Sequence, residues 1–316
     1  MSEAPPAAAV NAEPAAAASS DATTLDAHFA FGANWQRFLA RVDDDRIAAA
    51  EASLVKLLGI GGEQPLAGRR FLDAGCGSGL FSLAAHRLGA DVVSFDFDPQ
   101  SVACTHTLQA RFAVADAWPV HEGSVLDADF LRSLGRFDDV YSWGVLHHTG
   151  HLWAAVASVS QAVADGGRLT IALYNDQGRT TDRWIGVKRA YQSLPAWLRT
   201  PYVAAVGAGY FGWRAAGKLL ATAASPMEGR RLQPPSATTH ADRSLVDAVR
   251  HADARGMSRW HDLVDWVGGW PFEVSQPSAV VNFLTCRGFR CVGVKSVGRE
   301  LGCNEFLFRR VNAADF

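Results

Sequence analysis

Two short segments of this chain combine residue types that could bind and activate a ligand. The first is Asp73-Ala74-Gly75-Cys76-Gly77-Ser78-Gly79, an acid followed by glycines at alternate positions. Glycine lacks the Cβ that would block a sharp turn or hold the backbone away from a ligand. The second is Ser142-Trp143-Gly144-Val145-Leu146-His147-His148. An imidazole exchanges protons near neutral pH, so His147 or His148 suits proton removal from a hydroxyl. Between the two lies Asp96, closing the apolar run Val92-Val93-Ser94-Phe95. A carboxylate placed there can accept both hydroxyl protons of a ribose.

The details of the glycine turn discriminate between ligands. Dinucleotide sites use G-x-G-x-x-G so that a pyrophosphate can rest on a helix N-terminus. Here Leu80 stands where the third glycine of that fingerprint belongs, and Asp73 places negative charge beside the turn. That charge opposes a diphosphate and suits a cationic amino-acid tail. His147, His148 and His151 raise a metal as an alternative. The spacing of His147 and His151 needs one continuous helix, which Thr149-Gly150 opposes, so no metal is expected. The remaining polar and aromatic candidates are Tyr174-Asn175 after a later strand, the Trp-rich stretches holding Trp260 and Trp270, and Glu305. They suit an acceptor wall as well as ordinary turns and packing.

These residues need elements to position them. Arg70–Asp73, Asp91–Asp96, Phe137–Val145 and Arg168–Tyr174 read as strands. Leu80–Leu88, a segment entered at Pro99, and His151–Ala164 read as the helices between them, with Asp165-Gly166-Gly167 as a turn. Strands alternating with helices imply parallel crossovers and an open, doubly wound sheet. Two helices precede it, the second given its N-terminal cap and favourable dipole charge by Asp43-Asp44-Asp45 and stopped by Gly59. After Tyr174 the alternation ends. Arg183–Leu198 reads as amphipathic and Pro201–Ala224 as strongly apolar, the latter interrupted by Arg214 and Lys218. The clean stretch before those two residues is too short to span a bilayer; the segment suits a buried helix, a wall for a greasy substrate, or peripheral contact with a membrane. Pro277 opens a helix ended by Gly288, and Phe289–Val294 with Phe306–Arg309 form an antiparallel pair.

The segments Phe71–Gly79, Val92–Asp96 and Trp143–Thr149 resemble the signature segments of class I S-adenosylmethionine-dependent methyltransferases. Within that superfamily they are similar to the ubiquinone-biosynthesis O-methyltransferase and related small-molecule branches. The likeness spans residues 66–175 and, more loosely, the terminal hairpin. It implies a Rossmann-like, mostly parallel seven-stranded α/β sheet ending in an antiparallel hairpin. The helical stretch before the last two strands stands outside the minimal fold. The implied cofactor is S-adenosyl-L-methionine, held by Asp73, Gly75, Cys76, Gly77 and Gly79. Asp96 would bind its ribose, with Phe97 near the adenine and Trp143 beside the cofactor. The family often carries an acid-containing pair after the third strand. Here Gly123-Ser124-Val125-Leu126-Asp127 takes its place, leaving Ser124, Val125 or Asp127 for that contact. The implied reaction is methylation of a small molecule, O-directed if the acceptor is a hydroxyl or phenol. Transfer of another group, or a non-catalytic binding module, are the alternatives.

Composition narrows the rest. Of 316 residues, 30 are Lys or Arg and 32 Asp or Glu, which offers no overall field for nucleic acid. Five scattered cysteines without paired spacing imply neither a disulfide framework nor a zinc ribbon. The Ala/Pro-rich start, residues 1–24, lacks the basic and apolar blocks of a secretory signal and reads as a disordered tail of a cytoplasmic protein. The expected organisation is N-terminal helices over 25–62 and a cofactor core over 63–175. A substrate-side insertion over 176–276 follows, and residues 277–316 complete the sheet.

Overall fold

The computed structural model describes residues 31–112, 114, 118–223, 259–298 and 302–312. The Ala/Pro-rich start lies outside the described residues, as does Arg255–Ser258 of one Trp-rich stretch. Seven strands form one sheet in the order β3-β2-β1-β4-β5-β7-β6. They are β1 (Arg70–Ala74), β2 (Asp91–Asp96), β3 (Val120–Glu122), β4 (Phe137–Trp143), β5 (Val163–Tyr174), β6 (Phe289–Lys295) and β7 (Cys303–Arg310). The first five run parallel, and β7 pairs antiparallel with both β5 and β6.

Alternating side chains on the strands feed two cores, one on each face of the sheet. Phe71 and Val92 pack with α2 (Asp44–Leu58), α3 (Leu80–Arg87) and α4 (Pro99–Arg111). Leu72, Phe95, Leu169 and Ile171 pack on the other face with α5 (Ala128–Leu134), α6 (Leu152–Gln161) and α10 (Pro277–Thr285). A short α1 (Phe31–Leu39) precedes this layer. Helix α2 begins where expected: Asp43 accepts from the Arg46 amide at 2.9 Å, and Gly59 ends it at φ 61°.

Sequence and structure differ at the start of β5. Asp165-Gly166-Gly167, expected as a turn before the strand, lies within it. The register jumps from Phe137↔Val163 to Asp139↔Arg168, so the extra residues bulge between two paired stretches, with Gly166 at φ 70°. Helix α6 accordingly stops at Gln161, short of the expected Ala164. The second half holds α7 (Arg179–Ser193), α8 (Ala196–Ala223) and α9 (Arg259–Gly268). Helix α7 ends before Pro195, so the expected single helix through Leu198 is two, and α8 starts five residues ahead of Pro201. Among the described residues no helix is long and apolar enough to cross a membrane.

In a sheet of this order the chain reverses its direction of growth between β1 and β4. Crevices at such points open beyond the carboxyl ends of the strands. The glycine turn follows β1 and the paired histidines follow β4, so the topology sets both at the mouth of one crevice.

Candidate functional site

The glycine turn is tied back onto β2. The amides of Gly75 and Cys76 both donate to the Phe95 carbonyl, at 2.9 and 3.0 Å, and the Gly77 amide donates to Asp96 Oδ2 at 2.9 Å. Gly75 and Gly77 hold φ angles of 87° and 56°, a region that L side chains rarely adopt. Space forbids a side chain as well. A Cβ on Gly75 would lie 2.5 Å from the Val145 methyls, and one on Gly77 would lie 2.9 Å from Trp35 Nε1. Cys76 turns its sulfur inward, 3.4 Å from Thr105 Oγ1, so it contributes backbone to the turn. A Cβ on Gly79, whose φ is 77°, would meet the same threonine.

Two carboxylates flank this turn. Asp73 is 2% exposed and accepts from Ser82 Oγ at 2.6 Å. Asp96 accepts the Asp98 amide on Oδ1 as well as Gly77 on Oδ2. Burial pushes Asp73 up to about 7, and the nearby Asp96 charge adds to that shift. Burial likewise raises Asp96 to about 6, against the two amides that favour its ionised form. Among the described residues neither acid has a Lys, Arg or His within ion-pair distance. Among the described residues neither acid therefore has a cation beside it and Asp96 receives no hydroxyl proton, whereas S-adenosylmethionine carries a sulfonium, an ammonium and two ribose hydroxyls. The residues present fit that cofactor.

Across the crevice, a short 3-10 turn, Leu146–His148, carries the histidines. His147 is fully buried with its ring 3.8 Å from that of Tyr174, and neither ring nitrogen has a partner in good hydrogen-bond geometry. Burial, then His148 and Lys188, holds its pKa well below the usual imidazole value. His148 Nδ1 lies 2.6 Å from the Pro271 carbonyl, which sets the proton on Nδ1 and leaves a lone pair on Nε2. Burial, helped by Lys188, brings His148 down to about 3. Both rings are thus neutral at ordinary pH.

The other candidates take varied places. Phe97 is 65% exposed beside the crevice. Asp127 caps α5, its Oδ1 accepting the amides of Asp129 and Phe130, while Ser124 Oγ accepts the Leu126 amide. Val125 is buried in the core with Phe95. Trp143 directs Nε1 toward Glu305 Oε1 at 3.4 Å, and Lys295 Nζ lies 3.5 Å from the same oxygen. Asn175 donates to the Gly298 carbonyl and accepts from Asn304, so its amide braces β7 against the loop before it. Trp260 is 38% exposed in the first turn of α9, and Trp270 lies 6.0 Å from the Arg189 guanidinium. The structure brings Asp73, Gly75, Gly77, Asp96, His147, His148 and Tyr174 to the strand ends. Trp270 and Asn175 serve other neighbours, and Trp260 is exposed on α9.

Sequence reasoning passed over two contributors. Trp35, from α1, lies over Gly77, and Lys188, from α7, is fully buried beside Tyr174. Neither belongs to a recognisable motif. The one sequence signal for Lys188 was its place on a helix whose other apolar residues face inward.

A parallel sheet with an antiparallel hairpin at one edge, a glycine turn after β1 and an acid ending β2 define a class I, Rossmann-like methyltransferase. S-adenosylmethionine is the cofactor of this class. The chain belongs to the methyltransferase-domain family, which matches residues 37–202, more than half of its length. Among curated proteins it is 34% identical over 107 residues to a ubiquinone biosynthesis O-methyltransferase of Ralstonia nicotianae, covering 33% of this chain and 43% of the relative. It is 33% identical over 118 residues to a tRNA U34 carboxymethyltransferase of Methylococcus capsulatus, covering 36% of each. The chain thus spans less than half the length of these curated relatives. Among solved structures it is similar to magnesium protoporphyrin IX methyltransferase of Synechocystis PCC 6803, at 15% identity and a TM-score of 0.48. That alignment covers 88% of this chain and 93% of the other.

Proposed function

We propose that the protein transfers the methyl group of S-adenosylmethionine to an oxygen of a small, partly apolar acceptor. The observation that carries this reading is the pair of carboxylates, Asp73 buried and Asp96 partly buried, flanking a glycine turn without a cation of their own among the described residues. Asp96 would accept the ribose hydroxyls, the amides of the turn would hold the methionine end, and Phe97 would cover the adenine. When bound, the cofactor supplies an electrophilic methyl on a sulfonium. Val145, packed against Gly75, and the histidines after it would line the path from that methyl to the acceptor. His148 Nε2 would accept a hydrogen bond from the acceptor and orient it. With its pKa near 3, His148 is a weak proton acceptor, and alignment carries more of the rate than proton removal by this ring.

Calorimetry with S-adenosylhomocysteine tests the site. Wild type should bind, and Asp96→Ala should lose roughly 1.5–3 kcal/mol, the scale of hydrogen bonds to a charged group. Asp96 titrates near 6 in the free protein, and hydroxyl donors favour its ionised form. Affinity should therefore weaken as pH falls below about 6. Binding near that pH should release protons, seen as an enthalpy that varies with the buffer. Failure of well-folded wild type to bind would overturn the reading.

The carboxymethyltransferase among the relatives favours a second reading, transfer of a group other than methyl at the same site. Mass spectrometry of small-molecule extracts incubated with protein and labelled cofactor separates the two by the mass added.

A further inference from the structure

Lys188 reaches from α7 into the interior and is fully buried. Its Nζ donates to the carbonyls of Trp266 and Gly269 at the end of α9. The rings of Phe272, Trp266 and Tyr174 surround it, with centroids 4.5, 5.5 and 5.5 Å away. An ammonium carries three hydrogens, and these carbonyls use two. Among the described residues no carboxylate lies within ion-pair distance of Nζ.

The charged and titratable groups facing it come from four directions. Asp265 of α9 and Cys303 of β7 favour its charge from longer range, and the Lys188 charge in turn helps to hold His147 and His148 neutral. Tyr174 of β5 presents its ring. Burial brings the Lys188 pKa down from the lysine range to about 7.

An isolated buried charge is costly. The tie between α7 and α9 does not require one, because Gln192, one turn further on, makes the same kind of link with a neutral amide to the Gly268 carbonyl at 2.5 Å. What the ammonium lacks among the described residues is an anion at ion-pair distance, since its partners are carbonyls, ring faces and the more distant Asp265. Its position supplies the direction: Tyr174 ends β5, its ring touches that of His147, and both sit at the acceptor side of the crevice.

We propose that Lys188 selects the acceptor, its ammonium binding an ionised oxygen of an acidic hydroxyl, of the phenol or enol type, against the Tyr174 face. This rests on the methyltransferase reading and deepens it. Ionised oxygen is the nucleophile that a methyl on sulfonium needs, so the acceptor arrives with its proton already lost to solvent. Neutral alcohols gain nothing from the ammonium, and protonated amines are repelled by it.

The probe is 4-nitrophenol, titrated into protein saturated with S-adenosylhomocysteine and read by phenolate absorbance. Bound to wild type it should ionise about one pH unit below the free compound, equivalent to a tenfold preference for the phenolate. Lys188→Met should abolish that shift while retaining S-adenosylhomocysteine affinity, and Lys188→Arg should restore most of it. A residue serving only to join α7 and α9 would lower thermal stability on substitution and leave the probe's ionisation unchanged. The proposal is overturned by an unshifted ionisation in wild type, by an equal shift in Lys188→Met, or by absence of bound probe at millimolar concentration. The wild-type titration decides the matter even if the Met variant does not fold. Loss of S-adenosylhomocysteine binding by wild type would instead strike the methyltransferase reading itself.

Discussion

Asp73 concentrates the tension between stability and binding in one side chain. It lies under the glycine turn, satisfied by Ser82 alone among side chains, and its pKa is raised from 3.8 to about 7. A raised carboxyl favours the folded state most at pH values below its unfolded pKa. That contribution is lost as pH rises through the folded value, here between about 4 and 7. Asp73→Asn keeps an acceptor for Ser82 and removes the titration. The variant should equal wild type in stability near pH 4 and exceed it by roughly 2–4 kcal/mol at pH 8, the scale of a three-unit shift. Urea unfolding at the two pH values measures this, and a gap that does not widen with pH would refute it. On the proposed cofactor placement the same variant should bind S-adenosylmethionine more weakly, because the carboxylate that would face the cationic tail is gone.

At the scale of elements, the end of the sheet opposite the crevice is tied together by one acid on the central strand β4. Asp139 of β4 is 1% exposed and takes Arg69 Nε on Oδ2 at 2.6 Å and Arg168 Nε on Oδ1 at 2.5 Å. Arg168 also reaches the Leu58 carbonyl at the end of α2 at 3.3 Å. The cluster binds the approach to β1, the strands β4 and β5, and α2 at the amino ends of the strands, far from the crevice. Removing the shared acid leaves two guanidinium groups without their partner, which costs about 3–5 kcal/mol for a buried cluster. Asp139→Ala should lower the urea midpoint accordingly, while folded protein keeps its S-adenosylhomocysteine affinity. A loss below about 1 kcal/mol would show the pair to behave as an exposed one.

Across the whole molecule, α1 joins the cofactor turn to the second half of the chain. The Gly32 amide donates to Asp98 Oδ2 at 2.8 Å, and Asn34 Nδ2 donates to Asp265 Oδ1 of α9 at 2.8 Å. Trp35 lies over Gly77, and the Phe31 ring is 4.9 Å from that of His148. A ligand that binds only the folded, closed arrangement stabilises every element of it by mass action. Amide exchange over residues 31–39 should slow by at least about tenfold when S-adenosylhomocysteine is added at a hundred times its Kd, and Asn34→Ala should reduce that protection. Exchange in α1 that ignores the ligand would separate the helix from the site.

The sheet was legible in the chain because strand alternation and helix periodicity are local patterns. Asp91–Asp96 matches β2 residue for residue, and α2 is bounded by the Asp43 side chain at its start and by Gly59, free to turn left-handed, at its end. The glycine turn was legible for a related reason: positive φ and crowded Cβ positions leave glycine as the residue that fits, so the backbone need is written in residue type. Other features depended on packing between distant segments. The bulge that takes Asp165-Gly166-Gly167 into β5 is set by pairing with β4, which the local turn signal cannot report. His147 and His148 announced proton chemistry by type, yet burial and Lys188 keep them neutral, because desolvation depends on what surrounds a ring. The sequence by itself thus determined most of the strands, though not β3 or the start of β5, together with the turn and the residue types at the crevice. Only the tertiary structure decided their charge states and brought Trp35 and Lys188 to them, because burial and contact between remote segments exist only once the chain has folded.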